Sequence, residues 1–207
     1  MNDTHPNRRL ILGSSSRYRC ELLERLRLPF DVFAPDLDES PLPAESPLQL
    51  ATRLAMAKAQ AVAQQFPQAI VIGSDQVAEL KGQAIGKPGN HQRAVEQLTA
   101  MSGQEVVFHT AVAVVCAETG FSAGDIAAVR VRFRNLSTAE IENYLHAEQP
   151  YDCAGSAKSE GLGITLLAAI KSDDPTALIG LPLIRTTQLL RQAGLEPLAA
   201  LKNGASA

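Results

Sequence analysis

The apolar run Leu10-Ile11-Leu12 stops at Gly13-Ser14-Ser15-Ser16, and Leu22, Leu23 and Leu26 then recur at helical spacing. Strand, polar loop and helix in that order commit the beginning of the chain to an α/β fold. Ser16 is placed to cap that helix. A second helix opens at Ser46-Pro47-Leu48-Gln49, a capping box with proline in the first turn, and is predicted to run to about Gln65, ahead of Pro67. The strand expected next, Ala69 to Gly73, is short and wholly apolar, as a buried strand should be, and delivers Ser74-Asp75-Gln76 at its end.

The second half is more antiparallel in character. Asn90 can cap a helix through Met101 that stops at Ser102-Gly103. Val106 to Cys116 is a long apolar strand turned at Glu118-Thr119-Gly120, and Asp125 to Arg134 alternates as its partner. Ser137-Thr138-Ala139-Glu140 is a second capping box, opening a helix that reaches His146 and ends before Pro150. A strand near Gly163 to Leu167 and a last helix, Leu183 to Gln192 closed by Gly194, complete the pattern. No repeat or linker interrupts it, so a single domain over 1–207 is expected, with a candidate lobe boundary near residue 104.

Several classes of function are disfavoured by what the chain lacks. A formal charge of -3 over 207 residues gives no broad basic surface for long nucleic acid. Cys20, Cys116 and Cys153 are odd in number and widely spaced, without a CxxC pair, which suits a reducing cytoplasm better than a disulfide framework or zinc knuckle. Met1 to Arg9 is polar, without the apolar core of a signal peptide, and no run reaches the roughly 18 apolar residues of a membrane span. His5, His91, His109 and His146 are scattered, none with another at i+3 or i+4, so any metal is expected on oxygen ligands.

Those oxygen ligands, and cations to oppose an anionic substrate, can be named. Ser14-Ser15-Ser16 sets hydroxyls and backbone N–H groups at a helix N-terminus, where the dipole favours phosphate, with Arg19 one turn in; ordinary capping by Ser16 and a solvated Arg19 is the plainer alternative. Lys58 shares a stripe with Ala51, Leu54, Ala55, Ala61 and Val62, which puts a cation on the buried face of the second helix, seeking an anion or snorkelling to water. Asp75 at a strand end points into the crevice of an α/β fold. Glu39, beside Asp38, belongs to an acidic segment that can meet it or remain a solvated loop. Two carboxylates from separate segments suit Mg²⁺ or Mn²⁺. Gly86-Lys87-Pro88 fails as a phosphate-binding P-loop, since Gly82 is one residue too close and no Ser or Thr follows. Lys87 can still meet phosphate from an ordinary turn. Gly161-Leu162-Gly163 lacks the third glycine of a dinucleotide fingerprint. Arg130, Arg132 and Arg134 share one face of a strand, read as solvated, and Cys153 has no adjacent base and is read as a bystander thiol.

Taken in order, Ser14-Ser15-Ser16 with Arg19, Asp38-Glu39, Lys58-Ala59, Gly73-Ser74-Asp75-Gln76, Gly86-Lys87-Pro88, Ser102-Gly103, Ala154-Gly155-Ser156, Ser159-Glu160-Gly161 and Gly180-Leu181-Pro182 resemble the Maf family of nucleotide pyrophosphatases from about Leu10 to Leu198. The resemblance implies a two-lobed α/β mixed-sheet fold with a central cleft, related to inosine triphosphate pyrophosphatases, and frequently a homodimer. It implies hydrolysis of a nucleoside triphosphate between its α and β phosphates. Asp75 would be the general base, Glu39 and Asp75 the ligands of Mg²⁺ or Mn²⁺, and Ser14, Ser16, Arg19, Lys58 and Lys87 the phosphate-binding residues. Tyr18, Gln76 and Glu160 are similar to the aromatic residue, glutamine and glutamate of the subgroup acting on 7-methyl-GTP, where tryptophan can stand at the place of Tyr18. The subgroup acting on dTTP and UTP has Asp-Thr where this chain has Asp75-Gln76, and glutamine where it has Glu160. Association of the family with inhibition of septum formation adds a nucleotide-binding regulator as the alternative of another class.

Overall fold

The computed structural model describes residues 8–199. His5, most of the polar stretch Met1 to Arg9 and the two ends of the expected 1–207 domain lie outside the described residues. The expected α/β class and its mixed sheet are present: seven strands in the order β2-β1-β3-β5-β6-β7, with β4 paired to β3. These are β1 Leu10–Gly13, β2 Asp31–Val32, β3 Ile70–Leu80, β4 Gln83–Ile85, β5 Glu105–Cys116, β6 Phe121–Phe133 and β7 Leu167–Lys171. Helices α1 (Arg17–Glu24), α2 (Pro47–Gln65), α3 (His91–Met101), α4 (Thr138–Glu148) and α5 (Leu183–Gln192) cover it, and 3-10 turns occupy Ala154–Ser156, Leu162–Leu166 and Ala177–Ile179. None of the described helices is long and apolar enough to cross a membrane.

Period-two alternation explains how the sheet is covered on both faces. Ile11, Val71, Ala111 and Ala113 turn toward Leu50, Leu54, Ala55, Ala59 and Val62 of α2. Leu10, Leu12, Ile70, Ile72, Val112 and Val114 turn the other way, onto Leu22 and Leu23 of α1 and Leu189 and Leu190 of α5. A third cluster packs Leu98, Met101, Ile141 and Leu145 of α3 and α4 on Phe108, Val131 and Phe133. Both capping boxes form, at Ser46 with Gln49 and at Ser137 with Glu140, and the Asn90 side chain accepts from the Arg93 N–H.

Three expectations need correction. The strand after α2 does not end at Gly73: β3 runs on to Leu80, so Ser74-Asp75-Gln76 lie inside it. Its first part pairs in parallel with β1, up to Gly13↔Gly73, while its whole length from Val71 to Glu79 pairs antiparallel with β5, which supplies the partner that carries it onward. Leu162–Leu166 is a 3-10 turn and the strand begins only at Leu167, after Gly163, where a Cβ would stand 2.6 Å from the Lys158 carbonyl oxygen. Ser16 holds the N-cap position of α1, yet its side chain makes no capping bond; its N–H donates to the Ser14 hydroxyl instead, at 3.2 Å.

Candidate active site

β1 ends at Gly13 while β3 continues, so the side chains just past Gly73 emerge beyond the carboxyl end of a parallel strand, where α/β folds leave a crevice. A cleft of about 690 Å³ opens there. All ten residues singled out from the sequence, Ser14, Ser16, Tyr18, Arg19, Glu39, Lys58, Asp75, Gln76, Lys87 and Glu160, line it.

The closed end is built by the approach of α2 to β3. A Cβ on Gly73 would stand 2.2 Å from the Ala55 carbonyl oxygen and 2.6 Å from the Ala59 nitrogen, so only glycine lets the helix backbone come this near. Lys58, adjacent to Ala59 on that helix, is thereby delivered to Asp75, with Nζ 2.7 Å from Asp75 Oδ1. The same ammonium lies 2.7 Å from Glu39 Oε1. Lys58 and Asp75 are 8% and 10% exposed in their side chains, whereas Glu39 is 56% exposed and reaches in from its loop. A buried ammonium requires compensating charge, and two carboxylates from separate segments converge on this one.

Arg19, at the same end, is tied down rather than solvated. Its Nε donates to the Gly180 carbonyl oxygen at 2.9 Å and one terminal nitrogen donates to the Ser14 hydroxyl at 3.1 Å. Burial pulls its pKa below the ordinary guanidinium value, with the charges of Asp75 and Glu39 acting against that shift. Gln76 is likewise fixed: its amide nitrogen donates to the Thr110 hydroxyl at 2.9 Å and to the carbonyl oxygens of Ala177 and Leu178 at 2.9 and 3.0 Å.

The outer rim is looser. Lys87 and Glu160 are exposed, the first in the turn before α3 and the second in the segment after α4. Tyr18, half-buried, belongs to the cleft lining rather than to the core of α1. Arg17 lies 4.8 Å from its ring centroid and donates to its hydroxyl at 2.8 Å, and Lys158 Nζ lies 6.0 Å from the same ring. Cys153 also lines the cleft, its Sγ 3.8 Å from the Tyr18 hydroxyl, and burial pushes its thiol up to about 11. Arg130 and Arg132 face solvent, as expected, Arg130 pairing with Glu105 at 3.1 Å.

Other residues that shape the cleft carry no signal in the sequence. Arg53 of α2 grips Glu45 through two hydrogen bonds, of 2.6 and 2.9 Å, and donates to the Ser40 carbonyl oxygen at 3.0 Å. It thus anchors the loop that carries Glu39. Asp174 is fully buried and accepts from the Thr176 hydroxyl and the Arg185 N–H, holding the turn Ala177–Ile179 whose carbonyls orient Gln76. Spacing reveals neither, because both act through irregular loop backbone that follows no helical or strand period.

Curated relatives include proteins named 7-methyl-GTP pyrophosphatase from Albidiferax ferrireducens, 67% identical over 93% of this chain and 97% of that one, and from Polaromonas sp., 66% identical over 93% and 88%. One of the same name from Burkholderia pseudomallei is 60% identical over 90% and 88%. Among solved structures, a HAM1 protein from Coxiella burnetii aligns at TM-score 0.44 and 14% identity over 63% of this chain and 75% of that one, a likeness too slight to carry an argument. The family model described as Maf-like protein matches residues 9–193, nearly all of the described residues: the chain belongs to the Maf family.

Proposed function

We propose that this protein is a divalent-metal-dependent nucleoside triphosphate pyrophosphatase, acting on 7-methyl-GTP to give the monophosphate and pyrophosphate. The observation that carries the chemistry is the Lys58 ammonium held 2.7 Å from both Asp75 and Glu39 at the closed end of the cleft. The printed names of the relatives supply the nucleotide.

The donor set fits a hard cation. Glu39 and Asp75 are oxygen ligands from different segments that already converge on one positive charge, and Mg²⁺ or Mn²⁺ takes such ligands and completes its shell with water and phosphate oxygens. When bound, the ion supplies charge neutralisation to the phosphates and the departing pyrophosphate.

The side chains then divide the work. Asp75 accepts the proton of a water whose oxygen attacks the α-phosphorus, while the bond from that phosphorus to the bridging oxygen breaks and pyrophosphate leaves in line. Lys58, whose ammonium lies between the two carboxylates that would hold the ion, would present its charge to a phosphate oxygen. Arg19, Ser14 and the N–H groups at the start of α1 hold phosphate oxygens, and Lys87 closes on them from the rim. At the other end Glu160 accepts from the N1–H and N2 amino group of the guanine. Methylation at N7 leaves that base cationic, and Tyr18, which already draws Arg17 and Lys158, offers it about 0.5–2 kcal/mol of cation–π attraction.

Hydrolysis in isotope-labelled water tests the assigned bond. Attack at the α-phosphorus places the label in 7-methyl-GMP; label in pyrophosphate instead would move the attack to the β-phosphorus and remove the roles given to Asp75 and Lys58.

A further inference from the structure

Outside the cleft the fold assembles a group that the scattered histidines do not announce. His91, first residue of α3, stacks on His146 near the end of α4, with ring centroids 5.0 Å apart. Glu142, one turn before His146 on the same helix face, lies beneath both: its Oε2 is 2.8 Å from His91 Nε2 and 3.7 Å from His146 Nε2. One donor atom from each residue falls within 4.8 Å of the others.

We propose that His91, Glu142 and His146 form a second metal site, separate from the nucleotide cleft, for a borderline divalent ion of the Zn²⁺ class. Two imidazole nitrogens and one carboxylate oxygen are ligands that Zn²⁺ accepts and that Mg²⁺ takes poorly. A tetrahedral ion with bonds of about 2.0–2.1 Å holds its ligand atoms about 3.3 Å apart, so the three donor atoms, which lie within 4.8 Å of one another, reach that spacing when the exposed His146 ring rotates out of its stack on His91. The second nitrogen of His91 is already engaged: Nδ1 lies 3.0 Å from the Tyr151 hydroxyl, the kind of outer partner that fixes ring orientation and directs Nε2 at an ion. His146 is 74% exposed, leaving an entry path and room for water as the fourth ligand.

The position gives such an ion something to hold. α3 follows directly on the turn that carries Lys87, and the Gly89 N–H donates to the Tyr151 carbonyl oxygen at 3.0 Å. An ion bridging His91 to α4 fastens that turn to the segment leading to Asp152 and Cys153, two parts of the cleft rim. Without an ion, the His91–Glu142 hydrogen bond is the weaker form of the same fastening.

The test is a calorimetric titration of the full chain with ZnCl₂ in excess MgCl₂, on the unaltered protein and on the Asp75→Asn, His146→Ala and Glu142→Gln variants. His146 is exposed, so its removal leaves the fold intact. The expected result is one tight equivalent of Zn²⁺ in the unaltered protein and in Asp75→Asn, with affinity lowered at least about tenfold in His146→Ala and Glu142→Gln. Unchanged affinity in His146→Ala, or binding that Asp75→Asn abolishes, would overturn the proposal and place the ion in the nucleotide cleft.

Discussion

The two ends of the cleft are made by different physical means. At the closed end Lys58, Asp75, Ser14 and Arg19 stand on or directly beside α2, β3, β1 and α1, and each is tied by hydrogen bonds of 2.7 to 3.1 Å. At the rim Glu39, Lys87 and Glu160 are exposed and project from loops, held by anchors such as Arg53 rather than by the sheet. The closed end can thus keep a fixed arrangement of charge for phosphate chemistry, which rewards groups that need no reorganisation. The rim, whose residues are exposed and project from loops, carries the positions proposed to select the base.

Substitutions at the two ends should therefore fail differently. The largest effect short of removing the general base is expected at Lys58→Met, which removes the shared cation and leaves two carboxylates facing each other. It should lower kcat/KM by about 10²–10³-fold and folding stability by about 1–3 kcal/mol, read by steady-state kinetics and denaturant titration. Loss of neither would separate Lys58 from both roles. Arg53→Ala should act on the rim alone. By freeing the loop of Glu39 it should raise the Mg²⁺ concentration for half-maximal activity by about tenfold with little change in kcat at saturation; a fall in kcat without a shift in metal dependence would assign Arg53 to the closed end.

Glu160→Gln should reduce the preference for 7-methyl-GTP over UTP, measured as a ratio of kcat/KM, by about tenfold, the worth of a hydrogen bond to a charged group. An unchanged ratio would take Glu160 out of base selection. The smallest effect concerns acid. Hydrogen bonds from Arg53 and the Leu42 N–H hold the Glu45 carboxyl at about 2, below its ordinary 4.5. A depressed carboxylate stabilises the folded state above its unfolded pKa and loses that contribution as pH falls through the folded one. Part of the thermal stability should therefore disappear between about pH 4.5 and about pH 2, and Glu45→Gln should flatten the decline in that window.

The same contrast explains what could be read in the chain. Local signals were legible where one segment decides the outcome: the capping boxes at Ser46 and Ser137, the apolar stripe that buries Lys58, and Leu10-Ile11-Leu12 leading into the serine loop. The length of β3 was not, because it depends on β5 continuing to pair with it after β1 has stopped at Gly13, a long-range partnership with no trace in residues 69–80. His91 over His146 is hidden for the same reason, whereas Arg53 with Glu45 and Asp174 beneath the 3-10 turn at Ala177 are near neighbours hidden because loop backbone has no period to read. Short motifs and a family resemblance point to the candidate site residues, and the fold gathers them around one cleft; their order around it, with Lys58 between Asp75 and Glu39, is information that spacing does not hold.

The most direct measurement is pyrophosphate release from 7-methyl-GTP, GTP, dTTP, UTP and ITP, with Mg²⁺ or Mn²⁺, by the unaltered protein and by Asp75→Asn. The account predicts strong preference for 7-methyl-GTP, and loss of about 10²–10⁴-fold in kcat for Asp75→Asn in a protein that remains folded. Turnover of no triphosphate, or normal turnover by Asp75→Asn, would contradict it.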